Sequence, residues 1–270
     1  MTGRSGWRYG RDIAGAVRHQ LGLGDQPVNV WQVIRDRGPA VARPDFGPDG
    51  PDGLYMWRRG DDGPSLITVN RGKDWTRQHF TAAHELGHHE MHREGPSGLI
   101  TDVDVLATEG DPKEQEANAF AAYFLAPDDG LRRVLDGRRD EAVTPEAVAE
   151  AAAHFGLSYE ATLWRLRNTG LIREADRRRL EDGGGHPIWQ LLSSAGARAE
   201  DWPGPAGSLP AQVESWALEL YRRAVISVDR LADILQVSPK AAAALIAERG
   251  MERREAEPDE EAVLELLSGE

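Results

Sequence analysis

The sequence predicts an α+β protein, mostly helical, with a small three-stranded sheet near the N-terminus and helical, helix-turn-helix-like modules after it. Three observations carry this reading. Short apolar runs at 40–43, 53–57 and 65–70 are separated by turn-rich stretches, and the last two flank Gly60-Asp61-Asp62-Gly63 as the arms of a hairpin would. Longer segments on either side place apolar residues at helical spacing. The second half alternates capping Ser and Thr residues with helices that end at Gly.

Residues 8–23 carry Ile13, Ala16, Val17 and Leu21 on one helical face, with Gly22 and Gly24 closing the run. Asn29 is placed to N-cap a short helix bearing Val30, Val33 and Ile34, which Gly38-Pro39 ends. After the three strands a helix begins beyond Asp74 and ends near His92 or Gly95-Pro96. A loop is expected from 95 to 112. Asp111 caps the next helix, Pro112 fits its first turn and Pro127 stops it. Farther on, Thr144-Pro145 starts a helix broken at Gly156, and Ser158 starts another ending near Gly170, the outline of a helix-turn-helix. Gly183-Gly184-Gly185 and 202–207 bracket an irregular stretch. Ser227 and Ser238 cap two further helices, after one expected at 212–223. These divisions give four parts: 1–135, a helical module at 136–182, a linker at 183–209 and a C-terminal helical module at 210–270.

Of 270 residues 40% are hydrophobic, enough for a core, and no cysteine is present, which excludes disulfides and thiolate ligands. No apolar leader or membrane-length run occurs, so the expectation is a cytoplasmic protein without membrane contact. A formal net charge of −13 opposes general nucleic-acid binding, whose affinity rests on phosphate attraction. The C-terminal helices repeat the point: between 227 and 249, Arg230, Lys240 and Arg249 face Asp229, Asp233 and Glu248, which leaves no basic recognition surface.

The chemistry is concentrated in His84-Glu85-Leu86-Gly87-His88, an H-E-x-x-H motif. On a helix, residues four apart lie one above the other, so both imidazoles can reach one ion. Glu85 points elsewhere and can take a proton from water beside the ion, the arrangement of metal-assisted hydrolysis. The same letters also fit a charged, solvated helix face. The small and apolar neighbours Thr81-Ala82-Ala83 and Leu86-Gly87 suit a buried helix instead, and Gly87 makes sense if another segment packs closely there. A catalytic site needs a third protein ligand and an open position. In the helix after Asp111, Ala117, Phe120, Ala121 and Phe124 form an apolar stripe that Glu114 extends backwards, whereas Glu116 falls off it and is expected to face solvent. Glu114 is then either the third ligand or a first-turn acid complementing the helix dipole. His92, four residues past His88, fits a hydrogen-bonding role near the site, and His79 a structural one. Tyr55, Tyr123, His92 and Arg77 are conceivable donors to a developing oxyanion.

Together these segments resemble the ImmA/IrrE metallopeptidases. The match runs through Ile67-Thr68-Val69-Asn70, residues 77–88 with His92, the E-x-x-A-N-x-F-A run from Glu114 to Ala121 ending in Leu125-Ala126-Pro127, and a helical tail at 148–172. Leu125-Ala126-Pro127 stands where the usual motif reads Leu-Met-Pro. The resemblance implies a zincin-like domain of gluzincin type, with His84, His88 and Glu114 as ligands and Glu85 as general base. The ion is Zn²⁺, although a two-His, one-Glu set also accepts Mn²⁺. It further implies an endopeptidase whose partner is a protein substrate, a helix-turn-helix transcriptional repressor controlling phage or stress genes. The alternative is a non-proteolytic regulator that binds DNA or a repressor through its helical modules around a structural zinc. Glu85 favours the enzyme, because a structural site has no use for that carboxylate.

Overall fold

In the computed structural model, residues 6–58, 65–93, 97–102, 111–135, 142–202, 217–218, 221–222, 224, 226–235 and 237–251 are described. Their secondary structure is that of a mostly helical α+β protein. The chain divides into two compact units, Met1–Pro205 and Ala206–Glu270.

The first unit opens with α1 (Gly6–Gln20) and α2 (Val30–Arg37), then β1 (Ala40–Ala42), β2 (Gly53–Arg58) and β3 (Leu66–Val69). Asn29 caps α2 through bonds from Trp31 N and Gln32 N, and Gly38 ends it in the left-handed region at φ 101°. The three expected strands all form, and β2 and β3 pair antiparallel with Tyr55 opposite Ile67. The turn expected at 60–63 lies outside the described residues. The loop expected from 95 to 112 needs correction, because its start is β4 (Ser97–Asp102), antiparallel to β2 in a four-stranded sheet of order β1-β3-β2-β4. Residues 97–102 lack a strong alternating pattern. What makes them a strand is the second hydrogen-bonding edge of β2, a tertiary condition.

The sheet packs on α3 (Trp75–Met91), which Asp74 caps, and α3 packs on α4 (Pro112–Leu125), capped by Asp111 with Pro112 in its first turn. Tyr55, Ile67, Val69, Leu86, Phe120 and Phe124 are buried in one continuous core. Close approach is written into two glycines. A Cβ at Gly87 would stand 3.1 Å from the Phe120 side chain, and one at Gly10 of α1 would overlap the Glu116 carbonyl of α4. Helix α4 is thus gripped on two sides, by α3 and by α1.

Helices α5 (Asp128–Leu135), α6 (Pro145–Phe155), α7 (Tyr159–Asn168), α8 (Glu174–Leu180) and α9 (Ile188–Ser194) complete the first unit. Helix α9 occupies part of the stretch that reads as an irregular linker, and its Leu191 is buried in the main core. The α6–α7 pair forms as expected, joined through Gly156 in the left-handed region and the Ser158 cap. Arg165 of α7 is buried and bridges helices: its guanidinium donates to Ala122 O and Ala126 O, carbonyls at the end of α4, and reaches Asp128 Oδ1 at 2.8 Å. Ala122 O already accepts from Ala126 N, and the arginine adds donors to both carbonyls of this last turn and holds α7 in place.

His79 links α3 to the same turn. It is buried, its Nδ1 lies 2.9 Å from Gly156 O, and its ring packs on Trp202 with centroids 4.7 Å apart. Burial pushes its pKa down to about 4 despite backbone hydrogen bonds at Gly156 and Val28. The unfolded chain protonates this imidazole near pH 6.5 and the folded one does not until about 4. The contribution is therefore complete above pH 6.5 and is lost as pH falls toward 4. At about 1.4 kcal/mol per pH unit, the loss is on the order of 3 kcal/mol. Urea unfolding at pH 7 and pH 4.5 should show it, with a flatter dependence for His79→Gln.

In the second unit, α10 (Val228–Leu235) and α11 (Pro239–Glu248) form where the capping serines place them. Ser227 Oγ accepts from Arg230 N and Ser238 Oγ from Ala241 N. Leu231 and Leu235 bury with Ala217 and Leu218 in a separate small core. Most of the helix expected at 212–223 and the acidic segment from 255 onward lie outside the described residues. Among those described, no helix is long and apolar enough to cross a membrane.

Candidate metal centre

Helices α3 and α4 build the site by lying side by side. On α3, the four-residue spacing stacks His84 and His88, whose Nε2 atoms are 3.0 Å apart. On α4, Glu114 sits in the first turn and aims its carboxylate at both: Oε2 is 3.1 Å from His84 Nε2 and Oε1 is 3.4 Å from His88 Nε2. Both histidines are fully buried and Glu114 is partly buried. The structure therefore brings together the three residues singled out as ligands, a group that could hold a metal ion. Ligands at roughly 2.0–2.1 Å from one tetrahedral ion stand about 3.3 Å from one another, so the three separations suit a shared ion.

Asn118, one turn after Glu114, accepts from the other side of the first histidine: its Oδ1 is 2.8 Å from His84 Nδ1. With the proton on Nδ1, Nε2 presents a lone pair toward Glu114, as a ligating imidazole must. Sequence reasoning gave Asn118 no role of its own. The i, i+4 spacing from Glu114 was the available signal.

Glu85 is fully buried on a neighbouring face of α3. Strand β2 runs along that face, with Gly53, Tyr55 and Trp57 on one side of the strand. Two strand residues advance about 6.8 Å and four helix residues about 6 Å, so the elements stay nearly in step. Gly53 accordingly meets Glu85, and Tyr55 meets His89 one turn later, with its hydroxyl 2.9 Å from His89 Nδ1. A Cβ at Gly53 would overlap Glu85 Oε1 and crowd Thr81. The glycine is what allows the carboxylate into the space between helix and sheet. Sequence reading treated Gly53 only as a strand start.

The expectation for Glu116 is overturned. Rather than facing solvent, it is largely covered, and its Oε2 lies 3.0 Å from His92 Nε2. An apolar stripe marks one covered side of a helix, whereas α1 and α3 enclose α4 on two. His92 caps the end of α3 and places Nδ1 2.8 Å from His88 Nδ1, the hydrogen-bonding role expected of it. Of the other conceivable oxyanion donors, Tyr55 bonds His89 and Arg77 pairs with Asp52 at 2.5 Å, while the Tyr123 ring lies 3.9 Å from the Arg165 guanidinium.

A cavity of about 1060 Å³ runs between α3, α4 and α7, lined by Phe80, Asn118, Tyr123 and Trp164 among others. Asn118, which holds His84, is part of its lining; His84, His88 and Glu114 are not.

Compared with known proteins, the chain has no match among curated proteins. Residues 34–167 match the profile of the IrrE N-terminal-like domain, a peptidase family. That span contains the sheet, both site helices and the α6–α7 pair. With two histidines and a glutamate brought together as a possible metal site, residues 34–167 belong to the IrrE N-terminal-like peptidase family.

Proposed function

We propose that this protein is a zinc-dependent endopeptidase that cleaves a helix-turn-helix repressor, with His84, His88 and Glu114 as ligands and Glu85 as the proton carrier. The observation that carries the enzymatic part is the convergence of three lone-pair donors within 3.0–3.4 Å, beside a buried carboxylate that ligates nothing among them. Zn²⁺ suits two imidazoles and a carboxylate, and Mn²⁺ would also be accepted. An ion held there supplies Lewis acidity toward water and a peptide carbonyl. Glu85 takes one proton from water as its oxygen attacks the carbonyl carbon. As the C–N bond breaks, Glu85 hands that proton to the departing amine nitrogen. Buried between Thr81 and Gly53, the carboxylate is held ready for both transfers.

The substrate class rests on the resemblance to ImmA/IrrE peptidases. The competing reading, direct DNA binding by the α6–α7 pair, asks for free cations on α7. There Arg165 is buried against backbone carbonyls, Arg167 pairs with Glu174 at 3.4 Å, and Glu160 adds negative charge. That balance favours a helical pair that packs on the peptidase domain.

The test is to incubate the zinc-loaded protein with a helix-turn-helix repressor that it binds and to follow intact mass. Two fragments are expected, lost on adding a chelator and restored by zinc. A bound repressor that stays whole in stoichiometric zinc would overturn the reading.

A further inference from the structure

We infer that Glu116 and His92 are positioning residues that set the proton on His88, leaving its Nε2 bare toward Glu114. This rests on the metal-centre reading above. The chain of contacts is continuous: Glu116 Oε2 to His92 Nε2 at 3.0 Å, and His92 Nδ1 to His88 Nδ1 at 2.8 Å. His88 and His92 are both buried, so water does not compete freely for these nitrogens.

The proton positions follow from what each atom can do. An ionised carboxylate only accepts, so His92 must carry its hydrogen on Nε2 to bond Glu116. A neutral imidazole holds one hydrogen, which leaves His92 Nδ1 as an acceptor. The 2.8 Å contact is a hydrogen bond only if His88 Nδ1 donates. His88 Nε2 then has a lone pair, and it is the atom that faces His84 and Glu114. Along the contacts from Glu116 through His92 to His88 Nδ1, reversing either proton places two donors or two acceptors against each other in a buried space, at a cost of roughly the desolvation of an unmade hydrogen bond. Asn118 does the same for His84 in one step; His88 takes two, because its Nδ1 faces His92 at the end of α3 and Glu116 of α4 lies beyond that ring. A relay of imidazole and carboxylate thus reaches His88 from the helix that supplies Glu114.

Two experiments test this. In the first, zinc affinity is measured by chelator competition for wild type, His92→Phe, Glu116→Leu, the double variant and Glu116→Gln, with metal-free thermal unfolding as the check on folding. His92→Phe and Glu116→Leu should each weaken zinc roughly 10–100-fold. The double variant should lose no more than the worse single one, because both act through one chain of bonds. Glu116→Gln should stay near wild type, since its amide oxygen still accepts. Unchanged affinity in the single variants, or losses that multiply in the double, would overturn the relay while leaving the metal reading intact. Wild type that takes no zinc would overturn both. The second experiment needs no variant. Imidazole ¹⁵N shifts of metal-free wild type should show His88 protonated at Nδ1, and an Nε2–H form would overturn the inference.

Discussion

Glu85→Gln is expected to bind zinc as tightly as wild type, unfold at the same temperature, and cleave its substrate slower by on the order of 10²–10⁴-fold. The shape argument is strong at this position. The side chain lies between Thr81 and Gly53, where even a Cβ on the glycine would overlap Oε1. Gln is the same size and keeps that packing while giving up the ability to accept and release a proton. The measurement pairs single-turnover cleavage, followed by intact mass, with zinc content and a melting curve. Cleavage at the wild-type rate would exclude Glu85 as proton carrier.

Glu114→Ala carries the second large effect. It removes one of three donors and leaves His84 and His88 facing each other, Nε2 to Nε2 at 3.0 Å, with no anion to draw an ion between them. Zinc affinity should fall by more than the roughly 10–100-fold typical of an outer hydrogen-bond change. The purified variant should then contain little metal by mass spectrometry. A melting curve taken without metal checks that the variant folds. Full zinc occupancy in Glu114→Ala would mean that another residue is the third ligand, and the α4 contacts would need a different account.

Much of this protein was legible locally. The helices at 75–91 and 112–125 could be read because their caps, Asp74 and Asp111, and their stop at Pro127 act within a few residues. The pairing of His84 with His88 follows from the helical repeat alone. Glu114 was legible as a carboxylate on an inward face, although the residues alone left its purpose open. Fold class came through the same local signals, three strands with turns between them and a chain of capped helices.

What local signals could not reach shares one physical feature: it depends on a second element. Residues 97–102 are a strand because β2 has an edge to fill. Glu116 turns inward because α1 and α3 both close on α4, and a periodicity argument sees only one face of a helix at a time. Gly53 matters because β2 advances along α3 nearly in step with its turns, so a strand glycine meets a helix carboxylate 32 positions later in the chain. Arg165 is a surface-type residue by composition and a buried brace in fact, since the carbonyls of Ala122 and Ala126 at the end of α4 stand within its reach. The sequence by itself determined the residues and their spacing along each helix. The packing of α1, α3, α4 and β2 decided which nitrogens face Glu114, because hydrogen-bond direction is a property of neighbours in space.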